Sequence, residues 1–285
     1  MNFSIYNIRL KNLGEKMINK KVGTLSSTDI KNIYSKYKDR ISTGATIKDK
    51  GVVICLDVLG WKNYSKPNQI ENLTFITAII ESIIWDDVLR CSDSQEQAKI
   101  DIVNLSDTIL IFISDDSPYF FINIFKVLSK FINSAFTYSF AFRGAISYGE
   151  YEYNKTRNIF TGKAVYEAAT YCESTEWAGI IITDSLANEL LKENDYQTLE
   201  HIHLIKYEDI PFKKDFLDKK TKDSLVLNPN SIFVGQLGEY MHNENLEEKY
   251  TNYFSNSTGI IPEKLKNKYL NTIKFIKFIN SNSKV

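Results

Sequence analysis

The sequence predicts an α+β protein in which a sheet carries helices on one of its faces. A continuous β-prone run at residues 52–56 ends directly at Asp57, as expected of a strand buried on both faces. Apolar residues then recur at helical spacing, and two short apolar strands, a second apolar helix and a long strand follow. The order β-α-β-β-α-β is the ferredoxin-like arrangement, which leaves one sheet face free for a ligand or a partner.

The elements of this core are predicted from spacing and from the residues that start and stop them. A proline precedes the first helix, and polar residues between the two short strands fit a hairpin turn. In chain order the predicted elements are a strand at 52–56, a helix at 67–89, strands within 100–113 with a turn at 104–107, a helix at 118–136 and a strand at 140–153.

The rest of the chain predicts further elements around this core. They are a helix at 162–174, a strand at 179–183, a helix at 184–192 with Asp184 as its N-cap, a strand-rich stretch at 201–227 and a helical tail at 262–279. The predicted organisation is an N-terminal extension at 1–50, a catalytic domain at 51–228 and a C-terminal helical extension at 229–285.

Composition excludes several classes of protein. The chain has 285 residues, with 35 lysines and arginines balanced by 35 aspartates and glutamates, so no partner of the long nucleic acid type is expected. Its three cysteines, Cys55, Cys91 and Cys172, form no CxxC pair and predict neither a disulfide framework nor a zinc site. No apolar run is long enough to span a bilayer. We therefore expect a soluble cytoplasmic protein without direct membrane insertion.

Two aspartates carry the chemical argument. Asp57 ends the first predicted strand and Asp107 lies in the predicted hairpin turn, two places that are neighbours in this topology. Each aspartate alone could simply cap a turn. Two carboxylates on adjacent strand ends favour a site for Mg²⁺ or Mn²⁺, and a pair of such ions can activate a hydroxyl and neutralise a triphosphate.

The segments around these aspartates resemble the class III adenylate and guanylate cyclases. Residues 57–61, Asp-Val-Leu-Gly-Trp, resemble the metal-binding Asp-Ile-x-Gly-Phe signature, and Asp107 resembles the second metal aspartate. Residues 143–149 resemble the family's Arg-x-Gly-Ile-x-x-Gly strand, and residues 162–169 its Gly-x-x-Val-Asn-x-Ala-Ala helix. The resemblance covers about residues 52–214.

That resemblance implies a cyclase homology domain that works as a homodimer with two composite sites. Asp57, Asp107 and the Val58 carbonyl would hold two divalent ions, either Mn²⁺ or Mg²⁺. The substrate positions that it implies are Val103, Ile159 and Tyr166 around the base and ribose, and Lys213 for the triphosphate. The main-chain N–H groups from Leu59 to Asn63, including those of Gly60 and Trp61, could also cradle phosphates if a helix starts there. A surface lysine pair is the equally simple explanation of Lys213.

The departures from the family pattern bear on the substrate. Val103 and Ile159 stand where adenylate cyclases read adenine with a lysine and an acid, and Tyr166 and Thr170 replace the usual asparagine and arginine. With these changes the chain most resembles the bacterial Pycsar antiphage cyclases, which make cyclic UMP or cyclic CMP. The resemblance implies a pyrimidine nucleoside triphosphate as substrate, with UTP favoured over CTP, and a downstream effector that binds the cyclic nucleotide.

Alternatives remain at one residue and for the whole chain. Arg143 lies on a predicted core strand, where either a structural ion pair or a catalytic phosphate contact would explain a buried guanidinium. A catalytically inactive cyclase-like module for dimerisation or sensing would explain Tyr166 and Thr170. A palm-type polymerase that forms oligonucleotides or dinucleotides could share both aspartates and the strand order.

Overall fold

The computed structural model gives the fold of much of the chain. Two compact units divide it, Met1–Gly44 and Ala45–Val285. The first unit, with the predicted N-terminal extension as far as residue 44, lies outside the described residues. The structure describes residues 45–61, 71, 74–80, 100–114, 121, 124–125, 127–129, 131–132, 140–192, 203–219, 225–229, 246–255 and 260–282.

The described strands form one mixed sheet. They are β1 (Ile47–Val58), β2 (Ile100–Leu105), β3 (Thr108–Ile113), β4 (Phe142–Asn154), β5 (Ile159–Thr161), β6 (Ile180–Ile182), β7 (Leu204–Lys206) and β8 (Leu225–Leu227). Their order is β2-β3-β1-β4-β6-β8-β7, and β5 pairs with β4. The first four strands are antiparallel to their neighbours in the ferredoxin-like order, and β6 joins β4 in parallel. The predicted α+β class is confirmed.

The central strand β1 begins earlier than predicted. Among the described strands, residues Ile47–Lys50 pair with β4 and not with β3, whereas residues Val52–Asp57 pair with both β3 and β4. The early part alternates between half-buried and exposed positions. A continuous apolar run marks only the part of a strand that has neighbours on both sides and both faces covered, so this half-exposed start was missed.

The hairpin between β2 and β3 has a tighter turn than predicted. Leu105 pairs with Thr108, which leaves only Ser106 and Asp107 in the connection. Ser106 has φ of 62°, in the left-handed region that two-residue hairpin turns use. Asp107 is therefore held directly at the end of the hairpin.

The α-helices whose first and last residues are both described all come after β4 in the chain. They are α1 (Lys163–Ser174), α2 (Asp184–Leu190), α3 (Leu246–Phe254) and α4 (Glu263–Asn282), and two 3-10 helices lie at Lys155–Arg157 and Lys214–Lys219. The helical tail predicted at 262–279 is thus present as α4. The prediction of Asp184 as an N-cap is wrong. Thr183 occupies that position with an extended backbone, and Asp184 is the first helical residue.

Other predicted elements are found in part. Residues 71, 74–80, 121, 124–125, 127–129 and 131–132 are helical, and the remainder of the two predicted helices lies outside the described residues. The described part of the stretch predicted to be strand-rich, 201–227, has strands at β7 and β8 and a 3-10 helix between them. No described helix is both long and apolar enough to cross a membrane.

Two apolar clusters cover opposite faces of the sheet. Successive side chains of a strand point to opposite faces, so Ile54 and Leu56 lie in the first cluster while Val53 and Cys55 lie in the second. The second cluster contains α1. Helix α4 contributes to both, with Ile273 and Ile276 in the first and Phe275 and Ile279 in the second. The C-terminal tail is therefore part of the core.

Candidate active site

Asp57 lies at the carboxyl end of β1, between Thr108 on one neighbouring strand and Arg143 on the other. Only 17% of its side chain is exposed. Burial raises the pKa of the Asp57 carboxyl, against the opposing effect of the Arg143 guanidinium, and the nearby Asp107 adds to the rise. Because Asp57 pairs with Thr108 and the Val58 N–H donates to the Asp107 carbonyl, the two predicted aspartates lie at the same end of the sheet.

Asp107 is fixed by its backbone and leaves its carboxylate available. Its carbonyl oxygen accepts a hydrogen bond from the Val58 N–H at 2.9 Å, which ties the hairpin turn to the end of β1. Its side chain is half-buried and makes no hydrogen bond or ion pair with any residue that the structure describes. The turn thus fixes the position of the Asp107 carboxylate, and the carboxylate makes no described contact that would stabilise the turn.

The Val58 carbonyl faces the same side as Asp107. Leu59 donates its N–H to the Ala141 carbonyl on the β4 side, so by strand alternation Val58 directs its own polar groups to the β3 side. Its N–H meets the Asp107 carbonyl there, but no reciprocal bond from the Asp107 N–H to the Val58 carbonyl forms. This carbonyl oxygen can serve as a ligand beside the two carboxylates.

Arg143 is directed at Asp57. Its Nε donates to the Asp57 Oδ2 at 2.6 Å, and its Nη1 donates to the Thr175 carbonyl at 3.0 Å, just past the end of α1. Only 14% of the Arg143 side chain is exposed. These contacts favour the structural ion pair among the two explanations of Arg143. A catalytic role for it remains a prediction. We call Asp57, Asp107, Arg143 and the Val58 carbonyl the charged corner.

The donor set of the charged corner fits a hard divalent cation. It offers the Asp57 Oδ1, the Asp107 carboxylate and the Val58 carbonyl, all oxygens of the type that Mg²⁺ and Mn²⁺ prefer. No cluster of three or more histidine, cysteine or acidic side chains occurs within the described ranges, so these ions would complete their shells with substrate and water. That incomplete set is typical of sites that bind metal together with phosphates.

The loop after β1 is the place where a phosphate cradle is predicted. The Leu59 backbone N–H donates to the Ala141 carbonyl at 2.9 Å, and substrate binding by Leu59, Gly60 and Trp61 stays a prediction. Gly60 has φ of 70°, a conformation that suits glycine, and Trp61 is buried in the first cluster. Tyr253 of α3 donates its hydroxyl to the Leu59 carbonyl at 2.5 Å, so the loop is held from both sides.

The residues predicted to surround the base and ribose are largely open to solvent. Val103 is half-buried on β2, Ile159 on β5 is 46% exposed, and Tyr166 on α1 is 70% exposed. We call these three residues the apolar edge. The Tyr166 hydroxyl has no hydrogen-bond partner among the described residues. One chain therefore presents these side chains without enclosing them.

Two lysines approach the charged corner. The predicted Lys213 is half-buried, and its backbone N–H donates to the Ser174 carbonyl at 2.7 Å. Lys268 of α4 was not predicted. Burial lowers the pKa of Lys268, the charges of Arg143 and Lys213 lower it further, and Asp57 opposes them. Lys268 thus lies within electrostatic reach of the corner. Nothing in the sequence around Lys268 distinguishes it from the other lysines of a surface helix.

Comparisons with known proteins give little beyond this geometry. No family model matches the sequence, and no curated protein matches it. One similar solved structure is the catalytic core of a rhodopsin-guanylyl cyclase with converted specificity in complex with ATPαS. That match has 12% identity and a TM-score of 0.45, and it covers 64% of this chain and 96% of the other.

Proposed function

We propose that this chain is a nucleotide cyclase, which converts a nucleoside triphosphate into a 3′,5′-cyclic nucleotide and pyrophosphate. The observation that carries the proposal is the convergence of Asp57, Asp107 and the Val58 carbonyl at one end of β1. A lone aspartate at a strand end has many structural explanations. Two neighbouring carboxylates beside a carbonyl with no described donor carry more negative charge than Arg143 alone neutralises, and this favours a cation from outside the chain.

The proposed mechanism assigns each part of the charged corner a task. Asp57, Asp107 and the Val58 carbonyl would hold two divalent ions, whose charge would favour transfer of the ribose 3′-hydroxyl proton to solvent water and would neutralise the phosphates. The 3′-oxygen forms a bond to the α-phosphorus as the bond to the pyrophosphate breaks. Arg143 keeps the Asp57 carboxylate oriented through its bond to Oδ2, and Oδ1 takes no part in that bond.

The proposed substrate is a pyrimidine triphosphate, with UTP preferred and CTP as the alternative. Val103 and Ile159 offer no hydrogen bond to a purine, and each buried polar group left without a partner costs roughly 1–3 kcal/mol. The preference for UTP, the role in antiphage defence and the cyclic-nucleotide-binding effector rest on the resemblance to the Pycsar cyclases. Selectivity between UTP and CTP would depend on whether a hydrogen-bond donor or an acceptor of the site faces the C4 substituent of the base.

We further propose that a second copy of the chain completes the site. Tyr166 is a large side chain with 70% of its surface exposed at the start of α1, and Ile159 lies exposed on β5. Tyrosine is enriched at protein–protein interfaces. A two-fold homodimer would bring this apolar edge to the charged corner of the other chain and form two composite sites.

Product analysis tests the proposed function. The purified chain is incubated with each of the four nucleoside triphosphates and Mn²⁺, and the products are identified by liquid chromatography and mass spectrometry. We expect one cyclic mononucleotide and an equal amount of pyrophosphate, with Asp107→Ala as the inactive control. Linear or cyclic dinucleotides would instead support the palm-type polymerase and contradict the cyclase.

One observation favours the inactive cyclase-like module as the second candidate. Arg143 already occupies the Asp57 Oδ2 at 2.6 Å, so the arginine supplies some of the positive charge that a metal ion would otherwise bring. For such a module the same incubation yields no product with any of the four triphosphates. Its homodimer would form without divalent ions or nucleotide.

A further inference from the structure

Helix α4 is anchored beside the charged corner by contacts to three consecutive residues. The Asn271 side-chain amide donates to the Glu176 carbonyl at 2.9 Å, and the Ala178 N–H donates to the Thr272 hydroxyl at 2.9 Å. Between them, the Trp177 ring packs on Phe275 with centroids 4.6 Å apart. The segment 176–178 follows directly after Thr175, whose carbonyl binds Arg143. Helix α4 is therefore fixed relative to the corner.

Lys268 continues the buried face of this helix. Lys268, Thr272, Phe275 and Ile279 follow the i, i+4, i+7, i+11 spacing of one helical stripe. The last three are buried and Lys268 is half-buried. The side chain of a helical residue leans toward the helix N-terminus, which carries the Lys268 ammonium past the end of the apolar stripe. The buried stripe of α4 thus ends with the Lys268 ammonium on the side of the charged corner.

The Lys268 ammonium is partly buried but has no close counter-charge among the described residues. No carboxylate among the described residues lies within 4.0 Å of it, whereas Arg143 has an ion pair at 2.6 Å. Its electrostatic neighbours are two carboxylates, Asp57 and Glu176, and two further cations, Arg143 and Lys213. Because Asp57 is already paired with Arg143 and neither carboxylate lies within 4.0 Å of the Lys268 ammonium, the cations of this partly dehydrated site can bind a polyanion.

We propose that Lys268 binds the β- and γ-phosphates of the triphosphate substrate, on the same chain whose Asp57 and Asp107 hold the metal ions. The inference rests on the proposed function, because that function supplies the triphosphate. A lysine ammonium is a compact point charge that suits phosphate oxygens. Negative charge grows on the pyrophosphate as the bond to the α-phosphorus breaks, so the Lys268 contact strengthens during the reaction. The C-terminal helix is then part of the active site.

The competing explanation is that Lys268 only supplies counter-charge to Asp57 and Glu176. Neutralising it would then change stability, while the affinity for a phosphate chain would stay the same. Inorganic tripolyphosphate with Mg²⁺ separates the two explanations, because it carries the charges of the substrate without base or ribose. Its binding does not depend on turnover.

The experiment measures magnesium tripolyphosphate binding by calorimetry to the full chain and to four variants. Lys268→Met and Lys268→Gln remove the charge, Lys268→Arg keeps it, and Lys266→Met is the matched control because that lysine pairs with Glu263 on the exposed side of the same helix. We expect binding at least ten-fold weaker in both neutral variants that keep the wild-type melting profile, and within three-fold of wild type in the other two. Unchanged affinity in a folded neutral variant, or no binding by the wild-type chain, overturns the proposal.

Turnover assays on the same proteins separate this inference from the proposed function. Binding that depends on Lys268, without any cyclic product from the wild-type chain, supports the phosphate site and overturns the cyclase. A cyclic product with unchanged KM and kcat in folded Lys268→Met overturns the phosphate role and leaves the cyclase intact. A raised KM with lowered kcat supports both.

Discussion

The charged corner and the apolar edge differ in how far one chain completes them. In the corner, Asp57 is bound to Arg143, and the turn that carries Asp107 is tied to Val58. At the edge, Ile159 and Tyr166 are exposed. One chain thus assembles the groups proposed for chemistry. The groups proposed to contact the base and ribose would be enclosed only when a second copy of the chain binds.

This difference implies that chemistry and selectivity respond to different changes. A substitution in the corner should reduce turnover of every nucleotide, because the metal ions and phosphates are common to all of them. A substitution at the edge should instead change dimer formation or the choice of base.

Loss of either corner carboxylate should have the largest effect. We expect Asp57→Asn and Asp107→Asn each to lower kcat by about 10²–10³-fold, as is typical when one group that stabilises transition-state charge is removed. Alanine at either position should abolish turnover. Initial rates with Mn²⁺ and the preferred triphosphate measure the effect.

Thermal melts of the same variants serve as the control for folding. Near-normal turnover with normal metal dependence in either asparagine variant would remove that aspartate from the proposed metal site.

Arg143 should affect stability strongly, because its removal leaves the buried Asp57 carboxylate without its partner. Breaking a buried pair costs about 3–5 kcal/mol, and we expect Arg143→Met to lie at the lower end because both side chains keep some exposure. Urea unfolding measures the loss. The matched control is Lys48→Met, which breaks the exposed pair with Glu152 at 3.1 Å and should cost less than about 1 kcal/mol. Equal losses in the two variants would contradict the assigned role of Arg143.

The sequence could predict the corner better than its surroundings. Asp57 and Asp107 were predicted as neighbours because each ends an apolar strand segment, and strand order alone brings those ends together. The partner of Arg143 was left open, because cross-strand pairing with Asp57 depends on a register that periodicity does not give. Lys268 and Tyr253 were missed since their positions depend on how the C-terminal helices pack.

Small errors in the element bounds have the same origin. The half-exposed start of β1 at Ile47 lacks the continuous apolar run of its later part. The short strand β5 has an exposed residue at each end and gave no sequence signal. Tertiary pairing defines both segments, whereas the apolar spacing of α1 and α4 was sufficient to predict them.

Dimer formation should depend on the apolar edge. We expect Tyr166→Glu to raise the dimer dissociation constant by about ten-fold, because a charge would be placed in an apolar interface. Sedimentation over a dilution series measures association, and turnover per chain should fall in parallel with the dimer. Tyr166→Phe is the control and should associate normally. A fully active wild-type monomer would contradict the composite site.

The choice of base should respond least, by a few-fold. With all four triphosphates at equal concentration, we expect UTP to be consumed first, CTP second, and ATP and GTP poorly. Val103→Lys introduces a donor at a position proposed to contact the base and should raise the share of ATP without restoring full adenylate cyclase activity. Dominant cyclic AMP or cyclic GMP from the wild-type chain would contradict the pocket argument, whereas dominant cyclic CMP would overturn only the preference for UTP.

The central claim is that the charged corner holds divalent metal, and Mn²⁺ binding followed by electron paramagnetic resonance tests it most directly. Titrations of the wild-type chain, in the presence of a non-hydrolysable UTP analogue, should show Mn²⁺ bound at the protein in excess of that bound by the free analogue. The Asp57→Asn, Asp107→Asn double variant should lose that excess while Lys48→Met keeps it. Equal Mn²⁺ binding by the wild type and the double variant would contradict the account.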